Sequence, residues 1–129
     1  MSFQKLAVKL YLTNLALLTT HEIDSAYWHE WNLFNLPGEI DLFLVLNFIV
    51  LFVFIFGFEK VATWSKGAFT FSLLLSLSGV FAFVIHSCFI LSGHSEFNTV
   101  MSLTILILLF SVSIIQIVVL IVLNRNNVT

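Results

Sequence analysis

The sequence predicts an all-α fold: one integral membrane domain over residues 1–129, built as a four-helix bundle with both termini in the cytoplasm (N-in/C-in). Three observations predict it. Hydrophobic residues make up 60% of the chain and charged residues 9%, with a mean hydropathy of +1.07, too little charge to coat a soluble globule. The apolar residues gather in runs of about 20 or more, the length a helix needs to cross a bilayer. All five basic residues fall on one side of a four-span topology.

The first helix is expected over about residues 4–31. Leu6 to Thr20 is apolar but carries Lys9 and Asn14, so it crosses only if the helix continues past His21, with Lys5 and Lys9 snorkelling to one surface. A cleaved signal peptide is the rival reading of this segment. It is set aside because Thr-Thr-His-Glu follows the apolar run instead of a small-x-small cleavage site. The second helix, 39–58, starts after the turn at Pro37-Gly38. The third, 67–92, is bounded by Gly67 and Gly93, and the fourth covers 97–123. Each of these three runs is too long to be a strand.

Lys5 and Lys9, Lys60 and Lys66, and Arg125 then share the cytoplasmic side of a multi-pass protein of the inner (plasma) membrane. Glu22, Asp24, Glu30, Glu39, Asp41, Glu96 and all four histidines occupy the other half. A net charge of −2 without a basic tract excludes electrostatic binding of nucleic acid, leaving the lipid bilayer as the expected partner. Cys88 is alone, so no internal disulfide can form. Nothing in the sequence fixes an oligomeric state.

Helical phase says which polar groups can meet. Positions seven apart nearly coincide, so Asn14, His21 and Trp28 form one stripe, joined by Asp24, while Glu22, Ser25 and His29 form a neighbouring one. Facing Asn14 and His21 toward lipid would cost several kcal/mol, so this face is expected to look into the bundle. His86, on a parallel helix, falls at about the depth of the His21–Ser25 turn, and His94 and Glu96 follow in the next loop. His21, Glu22, Asp24 and His86 are therefore expected to converge, with His29 and His94 at the mouth. Histidines with neighbouring carboxylates match the ligand set of zinc or another divalent metal, here His21, His86, His29 and His94, with Glu22 or Asp24 as general base. They also match a proton relay. His29, Glu30, Trp31, Glu39 and Asp41 read equally well as groups solvated at the membrane interface. The metalloprotease pattern H-E-x-x-H is absent, because position 25 is Ser. Ser72, Ser76, Ser78, Gly79, Ser102, Thr104, Ser111, Ser113 and Gln116 read as packing and interhelical hydrogen-bonding residues, and Asn47 as a partner for Asn14.

At Thr20-His21-Glu22-Ile23-Asp24, followed by Glu30-Trp31 and the Leu36-Pro37 turn, the chain resembles an uncharacterised family of short four-helix bacterial integral membrane proteins. That family carries a Thr-His-Glu-Leu/Ile-Asp motif at the end of helix 1 and then an acid-Trp pair. The stretch "LSGHSEF" (91–97), with Ser102 beyond it, resembles its second motif. The resemblance implies the topology and a shared polar site, and it supplies no activity. Three functions remain on the residues. One is a hydrolase-like, metal-dependent membrane enzyme acting on a lipid or apolar small molecule. The others are a proton-coupled transporter component and a non-catalytic membrane subunit with a structural polar network.

Overall fold

A computed structural model describes residues 2–94 and 96–126. The described residues are all-helical: α1 (Phe3–Tyr27), α2 (Glu30–Leu33), α3 (Ile40–Ala62), α4 (Ala68–Leu91) and α5 (Val100–Asn126). The described residues thus hold five helices, not the four expected. The difference lies at the end of α1, which stops at Tyr27 instead of running on to 31. His29 there adopts the left-handed conformation (φ 54°, ψ 47°), which a right-handed helix does not continue through. The chain doubles back, and α2 forms a single turn across the end of the bundle. Trp31 packs on Phe43 of α3 at 5.5 Å, and Phe34 on Phe89 of α4 at 5.4 Å. These aromatic contacts, edge-on or tilted as ring quadrupoles prefer, hold α2 in place as a cover.

Helices α3, α4 and α5 are each long and apolar enough to cross a membrane. Their outward residues are large and apolar, with Phe48 69% and Phe52 61% exposed on α3. Such a surface is consistent with a membrane protein, since soluble monomers rarely expose wide apolar patches. Helix α1 is as long, 25 residues or about 37 Å, but more polar. Around the bundle the long helices run α1, α3, α4, α5, each antiparallel to its neighbours, and α5 closes back on α1. Helices α1 and α4 are parallel and also touch across the middle.

The buried positions of α1 are Ala7, Tyr11, Asn14, Leu18, His21 and Ser25, spaced alternately by four and three. This is the seam of a helix packed at a shallow angle on its neighbours. Ser25 therefore belongs with His21, one turn on, and not with the Glu22–His29 stripe expected from seven-residue phase alone. Tyr11 donates its hydroxyl to the carbonyl of Phe54 at 2.7 Å, tying α1 to α3. Gly57, the next residue on that face of α3, leaves the room: a Cβ there would lie 2.8 Å from the Tyr11 hydroxyl and 2.5 Å from Phe71.

Midway along the bundle the polar residues form a closed network. Asn14 donates to Ser113 (3.1 Å) and to Gln116 (2.9 Å), and Ser113 donates back to Asn14 at 3.3 Å. Gln116 in turn donates to the carbonyl and the hydroxyl of Ser72 at 3.0 and 2.8 Å. All four residues are fully buried, so each bond offsets a desolvation cost of roughly 1–3 kcal/mol. Asn47 is not part of it. It turns back along α3 to donate to Phe43 at 3.1 Å, because α5, not α3, packs on the Asn14 face.

Candidate metal centre

Two and three turns beyond Asn14 of that network, α1 brings His21 and Ser25 to the middle of the bundle, and α4 brings His86 to meet His21. Their parallel directions let residues at matched depth meet without bending either helix. The two imidazoles pack edge to face, 4.6 Å between centroids, and are 2% and 1% exposed. Phe97, just before α5, seals them from a third side, its ring 4.3 Å from that of His86. The fourth side is Glu30 of α2, folded over the helix ends with its carboxylate 3.6 Å from His86 Nε2. One ligand atom each from His21, Glu30 and His86 lies within 4.8 Å of the other two. Donor atoms sharing one zinc sit about 3–4 Å apart, so small rotations about the side-chain bonds close the set.

The protonation of His86 follows from its neighbours. Its Nδ1 lies 2.8 Å from the carbonyl of Ala82, which can only accept, so Nδ1 carries the hydrogen. In the neutral ring Nε2 is then a lone pair aimed at Glu30 and His21. A backbone carbonyl holding the far nitrogen is the usual support of a metal-ligating histidine. Among the described residues, five buried side-chain atoms have no hydrogen-bond partner: His86 Nε2, His21 Nδ1, the Ser25 hydroxyl, Asp24 Oδ2 and Glu96 Oε2. The two imidazole nitrogens among them meet in one cluster, in contrast with the network two turns away, where every polar group is paired.

The other residues singled out from the sequence lie outside this set of three. Glu22 faces the neighbouring side of α1 and lines, with His21, Glu30 and His86, a cavity of about 410 Å³ between α3 and α4. Together with Glu30 and Asn47 it also lines a smaller space of about 260 Å³ on the α3 side. Asp24 points to α5, where its carboxylate accepts from Ser102 at 3.0 Å. Ser102 is itself 2.7 Å from Thr99, whose hydroxyl caps the amide of Ser102 in the first turn of α5. Asp24 thus joins α1 to the start of α5, where a negative charge complements the helix dipole. His29 is exposed at the turn, its ring 5.0 Å from Trp31, and His94 is exposed and 3.7 Å from Glu96. Neither belongs to the buried cluster.

Glu30 is the residue that sequence reasoning missed. A helix continued to 31 carries it out to solvent, and only the left-handed turn at His29 brings it back. The acid-Trp pair of the quoted motif was the one available signal, since Glu30 and Trp31 are both 8% exposed.

Helices fit for a membrane around a buried two-histidine, one-carboxylate cluster define the class: an all-helical protein with a metal-capable polar core. The chain belongs to a family of unknown function (DUF6713), whose profile matches residues 7–123. No curated protein and no solved structure matches it.

Proposed function

We propose that this is a multi-pass protein of the inner (plasma) membrane that holds a divalent metal, zinc foremost, between His21, His86 and Glu30 and hydrolyses a lipid or other apolar substrate there. The observation that carries the reading is the orphaned ligand set: three groups with ligand atoms within 4.8 Å, and a buried nitrogen on each imidazole without a hydrogen-bond partner. A polar cluster kept only for helix register is expected to be internally satisfied, as Asn14, Ser113, Gln116 and Ser72 are. Two imidazoles and a carboxylate are also a set that leaves a fourth zinc position open for water.

A metal there supplies an acidified water and polarises the bond to be cut. Of the two acids considered as general base, Glu22 is the better placed, because it lines the cavity while Asp24 is engaged by Ser102. Glu22 takes one proton from water, and the hydroxide adds to the carbonyl carbon. The bond to the leaving oxygen or nitrogen then breaks, and Glu22 returns the proton to that atom. One water is consumed, giving an acid and an alcohol or amine.

Elemental analysis of the protein purified in mild detergent is expected to find about one transition metal per chain. A metal-free preparation that also takes up no added zinc would shift the site to a proton relay through Glu30 and His86, the 3.6 Å pair. The orientation rests on Lys5, Lys9, Lys60, Lys66 and Arg125, all at the end of the bundle away from the cluster. The one-turn α2 does not alter the parity of four crossings. Reporter fusions after Lys66 and after Glu96 are expected to report opposite sides, cytoplasmic and extracytoplasmic; the same side for both would rule the topology out.

A further inference from the structure

The cavity over the cluster does not end there. Its walls include Val50 of α3 and Leu74 and Ser78 of α4, and the same three residues line a second space of about 210 Å³ that continues along the α3–α4 seam to Val53 and Phe54. The two spaces make one cleft, polar at the His21, Glu30 and His86 end and apolar along the rest. From His86 to Leu74 it follows α4 for 12 residues, about 18 Å. Ser78 creates the gap. Its small side chain is half-buried, and its hydroxyl is spent on the carbonyl of Leu74 at 3.0 Å, so it offers the cleft no free polar group.

The cleft opens sideways. Leu74, Leu77 and Phe81, its rim on α4, are 47%, 48% and 63% exposed on the apolar outer surface of the bundle. Its end toward the loops is lined instead by Glu30 of α2 and by Phe34 just after it, with Trp31 of α2 packed on Phe43 alongside. A solute arriving from water meets that cover. A molecule already in the bilayer meets an open slot whose far end is apolar and whose near end holds the polar cluster.

We infer that this slot takes a lipid acyl chain laterally from the membrane, with the chain along Val50, Val53, Phe54, Leu74 and Ser78 and the carbonyl at the His21, Glu30 and His86 cluster. The inference rests on the proposed hydrolytic site for its orientation, and it narrows the substrate to long-chain acyl lipids. An amphiphile matches the cleft in both polarity and direction, and it needs no path through α2.

The test uses the full-length protein in phosphatidylcholine vesicles containing a phospholipid with a diazirine on one acyl chain, placed at the chain terminus in one probe and beside the carbonyl in another. After irradiation, the terminal probe is expected to label Val53, Phe54 and Leu74 several-fold above the outward Phe48, Phe52 and Ile107. The carbonyl-proximal probe is expected to label Phe34, Ala82 and Ile85. Ser78→Trp, which fills the slot, is expected to lower both signals at least about fivefold while helicity by circular dichroism is unchanged. Val53→Trp blocks the slot from α3 and serves if Ser78→Trp fails to fold. Labelling no stronger than on the outward faces, the same pattern from both probes, or signals that neither variant lowers would overturn the inference. His86→Ala separates the two readings: cleft labelling that persists while bound metal is lost leaves the slot standing, and a metal-loaded protein without cleft labelling leaves only the metal site.

Discussion

His86→Ala is expected to weaken zinc binding by at least about 100-fold, read by competition with a chromophoric chelator in detergent. Losing a second-shell partner alone typically costs 10- to 100-fold, and His86 is proposed as a direct ligand. His21→Ala is expected to match it, because each imidazole supplies one of the three donors. Glu30→Gln keeps the shape of the side chain but removes the charge, so it is expected to fall between these variants and the parent. His29→Gly and His94→Ala are the informative controls. Both side chains are exposed and outside the cluster, and glycine accepts the left-handed turn that His29 now makes at φ 54°. Zinc affinity is expected to stay within about threefold of the parent for these two, far below the loss set by a ligand. An alanine at 86 that leaves affinity unchanged, in a protein of unchanged helicity, would remove the cluster as the metal centre. Glu22→Gln is expected to retain zinc while losing hydrolysis, which separates the base from the ligands.

Gly79→Leu is expected to give the largest loss of stability of any single change in the middle of the bundle. Gly79 is buried where α4 crosses α5, and even a Cβ there would overlap the Ser113 hydroxyl and press on Leu109 at 3.2 Å. Ser113 cannot swing away freely, because its hydroxyl is bonded to Asn14 and thereby linked to Gln116. Gly79→Ala is therefore expected to cost about 1–3 kcal/mol by overpacking. Leucine is expected to separate the helices and prevent folding. Thermal unfolding in detergent checks both, and the double variant Gly79→Ala/Ser113→Ala gives the mechanism. Removing the hydroxyl relieves the overlap, so the pair is expected to be more stable than the sum of its single effects by on the order of 1 kcal/mol. Strictly additive effects would mean that the close approach at Gly79 is not what the glycine provides.

The sequence by itself determined the helical class, the three helices fit for a membrane and the facing of Asn14 and His21 into the bundle. Those conclusions follow from transfer free energies and helical period, which act residue by residue and need no knowledge of neighbours. The meeting of His21 with His86 was legible for the same reason: parallel helices of known rise bring equal depths together. The tertiary structure decided which acid joins them. Glu30 takes the place expected of Asp24 because the left-handed backbone at His29 ends α1 early, and because Ser102 of α5 claims the Asp24 carboxylate. A left-handed residue that is not glycine leaves no mark in composition or periodicity. Asn14 likewise could not announce its partner, since Asn47, Ser113 and Gln116 all offer matching hydrogen-bond groups, and only the packing of α5 against α1 selects among them. Patterns along a chain fix which face of a helix is buried, whereas the identity of what it is buried against belongs to the order of the helices around the bundle.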